Sequence, residues 1–71
     1  MRKARLLVAP PAERVEYFGG DGKQSQAGDI VQLDHGFTFP DGRPGGLVYC
    51  EEKDYEAEVY DSEIELMDEV W

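Results

Sequence analysis

Residue types that carry chemistry are scarce in this chain of 71 residues. It has one cysteine, Cys50, and one histidine, His35. A single copy therefore has no internal disulfide and cannot assemble the usual cysteine–histidine zinc site. Lysine and arginine total seven against 16 acidic residues, which gives a net charge of −9. Direct binding to nucleic acid or to an anionic membrane needs clustered basic residues, so the composition argues against both.

Long apolar runs are also absent. The run at residues 6–9 stops at Pro10 and Pro11, well short of the roughly 7–15 residues in the core of a signal peptide. No stretch approaches the roughly 20 apolar residues of a membrane helix. Together with the single cysteine, this predicts a cytoplasmic protein.

The length predicts one small domain over residues 1–71, because single domains usually span about 50 to 250 residues. Apolar residues make up 41% of the chain and charged residues 32%, which is too apolar for a disordered segment. A chain of this size buries only about 60% of the surface that it exposes when unfolded. We therefore expect a folded domain with a thin margin of stability.

Glycine and proline divide the chain. All eight glycines and all four prolines lie between Pro10 and Gly46, and residues 47–71 contain neither. Residues 19–28 (GGDGKQSQAG) form a polar, glycine-rich stretch, which predicts a mobile loop. It lacks the glycine spacing and the serine or threonine after the lysine that a phosphate-binding loop requires.

Alternating apolar and polar residues predict a mainly β domain of five or six short strands, folded as a small antiparallel barrel or a rolled sheet. The clearest case is residues 55–60, where Tyr55, Ala57 and Val59 alternate with Glu56 and Glu58. Residues 12–18 fit a short helix or a strand, and residues 62–71 fit a strand through Leu66 or a helix. The other predicted strands lie within residues 5–9, 28–33, 37–39 and 47–50.

The segment GDIV at 28–31, followed after a long loop by GLVY at 46–49 and by strands at 55–60 and 64–66, resembles the strand order of SH3-like small β-barrels. The resemblance covers residues 28–66. It includes toxin-immunity proteins and proteins of mobile elements, and it implies a small barrel without implying a function. It also includes plasmid-borne trimethoprim-resistant dihydrofolate reductases, whose pore carries Val-Gln-Ile-Tyr. Here Val31-Gln32 continues as Leu33-Asp34 in a different strand, so this enzyme activity is not implied.

The negative charge is concentrated at one end of the chain. Residues 1–50 hold six acids and six bases, whereas the last 21 residues hold ten acids and one base, Lys53. If residues 55–60 and 63–66 are adjacent strands, their glutamates form an outward carboxylate face, and such a face attracts a basic protein. We predict the partner-binding residues Asp54, Glu56, Glu58, Tyr60, Asp61, Glu63 and Glu65.

No pattern predicts catalysis, a cofactor or a metal site, so we expect a binding protein and not an enzyme. The predicted function is inhibition of a basic protein, either a toxin or a nucleic-acid-binding protein. The alternative is a self-assembling small barrel of a mobile element, with a ligand or active site at the subunit interface, where His35 or Arg43 would repeat around an axis. The acidity is also consistent with a role in solubility alone, without any partner.

Overall fold

Six antiparallel strands form one sheet in a computed structural model that describes residues 2–19 and 24–67. Two short 3-10 turns, Ala12–Arg14 and Asp61–Glu63, directly precede strands. This confirms the predicted mainly β fold of short strands. The strands are β1 (Arg2–Leu6), β2 (Val15–Tyr17), β3 (Ile30–Thr38), β4 (Pro44–Cys50), β5 (Tyr55–Tyr60) and β6 (Ile64–Leu66).

The strand order is β2-β5-β4-β3-β1-β6, so β2 and β6 are the two edges of the sheet. Arg14 directly precedes β2 and Glu63 directly precedes β6, yet their side chains form an ion pair. The sheet therefore curls until the starts of its two edge strands approach each other, without closing into a barrel. Of the two predicted forms it is the rolled sheet. The resemblance to SH3-like barrels stays a prediction.

The hydrophobic core lies on the inner face of the rolled sheet. In β5 the alternation predicted from the sequence is confirmed, because Tyr55, Ala57 and Val59 are buried. Each of these residues lies opposite an inward residue of β4 in the register of the sheet. The same alternation in β1, together with Val31 of β3 and Ile64 of β6, completes the core. Its buried members are Ala4, Leu6, Val31, Val48, Cys50, Tyr55, Ala57, Val59 and Ile64.

Four strands differ from the bounds that the sequence predicts. β4 begins at Pro44 and not at Leu47. β1 begins and ends earlier, because Ala4 and Leu6 alternate inward whereas Leu7 and Val8 are exposed. The predicted strands at 28–33 and 37–39 are one strand, β3, which continues through an irregularity in its pairing between Leu33 and His35. β6 begins at Ile64, since Glu63 still belongs to the preceding turn.

Both ambiguous segments combine a 3-10 turn with a short strand. Residues 12–18 contain the turn Ala12–Arg14 and then β2, and residues 61–66 repeat this arrangement with β6. Residues 68–71, including Trp71, lie outside the described residues, as do residues 20–23 of the predicted mobile loop.

A polar network fastens residues 24–29 to the beginning of β5. The Asp29 carboxylate accepts hydrogen bonds from Lys53 Nζ (2.8 Å), the Tyr55 hydroxyl (2.7 Å) and the backbone N–H of Gln26 (3.0 Å). Burial raises the pKa of Asp29, but these bonds outweigh it and hold that pKa below its ordinary value. Burial, and then the hydrogen bond to Asp29, raise the pKa of Tyr55. Lys53, the one basic residue among the last 21, therefore has its charge paired with Asp29 inside the domain.

Candidate protein-binding face

Two of the predicted partner-binding residues, Glu56 and Glu58, point away from the core on the outer face of β5. Their neighbours Tyr55, Ala57 and Val59 point inward, and the strand period of two places the glutamates on the opposite face. The Glu56 side chain is half-buried and the Glu58 side chain is exposed.

Edge strand β2 adds a third carboxylate to this face. Glu16 lies directly opposite Glu56 in the antiparallel pairing of β2 with β5. Together with Glu13 from the preceding turn, these residues line an open groove of about 270 Å³, which is also lined by Val15, Leu47 and Ala57. We call the four carboxylates, Glu13, Glu16, Glu56 and Glu58, the acidic groove.

The acidic groove has little compensating charge. None of its four carboxylates forms an ion pair or a side-chain hydrogen bond with any residue in the described ranges. Arg14 also lines the groove, but its guanidinium is bound to the Glu63 carboxylate and to the backbone carbonyl of Glu58 (3.1 Å). Like charges directly opposite each other across two strands are destabilising.

The sequence did not single out Glu13 and Glu16. Glu16 alternates with Val15 and Tyr17, and this pattern was a signal for a strand with an outward glutamate. The pattern could not identify the strand that pairs with β2, because β2 and β5 are about 40 residues apart. Only the register of the folded sheet places Glu16 opposite Glu56.

Glu63 and Glu65 do not join Glu56 and Glu58, because β6 pairs with β1 and not with β5. The predicted continuous face across adjacent strands is therefore wrong. Glu65 lies opposite Arg5 and forms an exposed ion pair with it. Glu63 binds Arg14 through both carboxylate oxygens (3.1 and 3.2 Å) and accepts the Tyr60 backbone N–H (2.8 Å). Burial raises its pKa, but these bonds outweigh it and lower the pKa below its ordinary value.

Asp54 and Asp61 lie away from the acidic groove. Asp54 ends the turn before β5 with φ of 57°, a left-handed conformation that aspartate tolerates better than most residues. Its carboxylate accepts a hydrogen bond from the Tyr49 hydroxyl (2.8 Å), which raises the pKa of Tyr49. Asp61 is exposed and lines a separate groove beside Ile64 and Leu66.

Tyr60 points outward, as expected, but both faces of its ring are covered. One face stacks on Phe39 with ring centroids 4.0 Å apart, and the Arg43 guanidinium lies 3.9 Å from the ring centroid. Its hydroxyl donates to Asp41 (3.0 Å), which also binds the Arg43 side chain (3.1 Å). The ring is half-buried, so its contribution to an interface would be its edge and the guanidinium above it.

The other candidate chemical groups are dispersed. His35 is exposed in β3, with its Nδ1 4.0 Å from the Asp34 carboxylate, and the Cys50 thiol is buried in the core. Within residues 2–19 and 24–67, no three histidine, cysteine, aspartate or glutamate side chains are grouped so as to hold a metal ion. No helix in this part of the chain has the length and apolar character needed to cross a bilayer.

Comparison of the chain with protein-family models, with curated proteins and with solved structures finds no match among any of the three.

Proposed function

We propose that this domain binds a basic protein through the acidic groove and neutralises it by covering its basic surface. One observation carries the proposal: Glu16 and Glu56 lie directly opposite each other, and neither carboxylate forms an ion pair within residues 2–19 and 24–67. Such a pair costs the free protein up to about 1 kcal/mol. A partner that brings lysine or arginine into the groove relieves this cost and gains the attraction of four carboxylates.

The overall charge supports the same partner. A net charge of −9 attracts a basic protein through long-range electrostatic steering. Such steering raises the association rate and is sensitive to salt. A nucleic-acid-binding protein or a toxin with a basic surface fits this chemistry, because the groove would occupy the cations that otherwise bind phosphate. The proposed role is binding and not catalysis.

The test compares two variants that remove the same amount of charge. The probe is a decapeptide rich in lysine, and its dissociation constant is measured by calorimetry at about 20 mM and about 200 mM salt. We expect the double variant Glu16→Gln/Glu56→Gln to bind about tenfold more weakly at low salt and to lose much of its salt dependence. The matched control is Glu51→Gln/Glu52→Gln, in the exposed turn after β4. It should change binding by less than about twofold.

Equal weakening by the two double variants would overturn the proposal, because it would mean that binding follows net charge alone. The acidity would then be explained by solubility.

A further inference from the structure

The edge of β2 that faces away from β5 presents unpaired backbone groups. The Phe18 N–H donates to the carbonyl of Asp54, which directly precedes β5, so it points toward that strand (2.9 Å). Backbone groups of successive strand residues point to opposite sides. The N–H and C=O of Tyr17 and the C=O of Val15 therefore point outward, and no partner in the described parts of the chain binds them. The Val15 N–H donates a hydrogen bond to the Ala12 carbonyl.

This edge strand is only three residues long, and short length is itself one protection against strand addition, but the other common protections are absent from it. Natural edge strands carry lysine, proline or a bulge that prevents another chain from pairing with them. β2 reads Val-Glu-Tyr, has no irregularity in its pairing with β5, and is followed by Phe18. Tyr17 is 40% exposed and Phe18 51% exposed, so apolar surface adjoins this edge.

We propose that an extended segment of the basic partner adds to β2 as a seventh strand, with a lysine or arginine opposite Glu16 and an apolar residue on each side of it. This inference rests on the proposed function, and it specifies the shape and the sequence pattern of the partner. The residue opposite Glu16 shares the outward face and reaches both Glu16 and Glu56. Its two neighbours face inward beside Val15 and Tyr17, which explains the apolar positions.

Charge complementarity selects this occupant over a second copy of the same chain. Antiparallel pairing of two β2 strands would bring a second Glu16, next to its own Glu56, to an edge that already has two unneutralised carboxylates. Like charges across strands oppose such pairing, whereas a basic residue at the same position is attracted.

The first experiment follows the Tyr17 amide directly by hydrogen exchange in the intact protein. The probe is the peptide Thr-Val-Lys-Val-Thr, acetylated and amidated at its ends. At saturation we expect the Tyr17 N–H to exchange at least about tenfold more slowly, because it becomes a donor in the new ladder. The matched control is the same peptide N-methylated at both valines. It keeps the charge and lacks the donors that would face β2, and it should bind about tenfold more weakly.

A pair of variants tests the same bond from the side of the protein. Tyr17→Pro removes the outward N–H at a place where proline is tolerated, since that N–H faces solvent on an edge strand. Tyr17→Ala removes the side chain and keeps the N–H. Binding should be weaker for Tyr17→Pro than for Tyr17→Ala by about three- to tenfold. The hydrogen-exchange result stands even if Tyr17→Pro does not fold.

The outcomes separate this inference from the proposed function. One outcome would be that both peptides bind equally, that Glu16→Gln/Glu56→Gln weakens this binding, and that the exchange of the Tyr17 N–H is not slowed. In that case the acidic groove binds cations and strand addition is wrong. If neither peptide binds and the lysine-rich decapeptide also fails, both proposals are wrong. Protection of Tyr17 without peptide, growing with protein concentration, would overturn the inference in favour of pairing between copies.

Discussion

Arg14 and Glu63 join the two edges of the rolled sheet. The two Nη atoms of the guanidinium donate hydrogen bonds of 3.1 and 3.2 Å to the two carboxylate oxygens, and the side chains are only 19% and 20% exposed. Arg14 lies before β2 and Glu63 lies before β6, which are the first and last strands in the order of the sheet. This pair holds the curvature of the sheet where no backbone pairing does.

A double-mutant cycle with Arg14→Gln and Glu63→Gln should give a coupling free energy of about 1–2 kcal/mol, because a bidentate and largely desolvated ion pair is stronger than most surface ion pairs. The control is the cycle of Arg5→Gln with Glu65→Gln, whose side chains are 46% and 54% exposed. Its coupling should stay below about 0.5 kcal/mol. Urea unfolding of the single and double variants measures both couplings. Equal couplings would mean that the first pair does not hold the edges together.

Stability should fall in mild acid because of Asp29 and Glu63. Hydrogen bonds and neighbouring cations hold the folded-state pKa of both carboxyls below the ordinary values, in spite of burial. A depressed folded pKa adds stability that is fully present above the unfolded pKa, about 4, and is lost as the pH falls through the folded values. Urea unfolding at pH 7, 5, 4 and 3 should show most of this loss below about pH 5. In the variant Asp29→Asn/Glu63→Gln this dependence should flatten, and an unchanged slope would contradict the assignment.

Removing a carboxylate of the acidic groove should have opposite effects on the stability of the free protein and on partner binding. Glu16→Gln or Glu56→Gln should stabilise the free protein by about 0.2–1 kcal/mol, since each removes one member of a like-charged cross-strand pair. The control Glu65→Gln breaks an opposite-charge pair with Arg5 and should be neutral or slightly destabilising. Thermal unfolding at low salt and at about 1 M salt measures the effect, which should shrink at high salt because charges are screened. Destabilisation by Glu16→Gln would indicate a structural role for this carboxylate.

Local patterns in the sequence predicted the strands, and long-range pairing decided the site. The alternation of residues 55–60 was sufficient to predict that Tyr55, Ala57 and Val59 are buried, because the strand period acts between near neighbours. The same reasoning failed for Glu63 and Glu65, since it assumed that strands adjacent in sequence are adjacent in the sheet. The pairing of Glu16 with Glu56 depends on contacts across about 40 residues, which no local period specifies.

Tyr60 illustrates a second limit. Its outward direction followed from the alternation, but its exposure did not, because it is covered by Phe39, which directly follows β3, and by Arg43 in the turn before β4. A period of two gives the face of a sheet on which a side chain lies, and it does not say which loops fold over that face.

Among the glycines that the structure describes, Gly45 should tolerate substitution least. It lies in β4 opposite Tyr60, and a Cβ at this position would overlap the Phe39 ring and the Val59 carbonyl oxygen. Because Phe39 is itself held against Tyr60, the ring cannot move away without breaking the stack. Gly45→Ala should therefore destabilise the fold by about 1–3 kcal/mol or more. In the control Gly36→Ala, the nearest atom to the new Cβ is the Gly45 carbonyl oxygen at 3.5 Å, an ordinary contact. Urea unfolding should show a clear loss for Gly45→Ala and little change for Gly36→Ala, and similar losses would mean that the Phe39 ring does not determine the need for glycine.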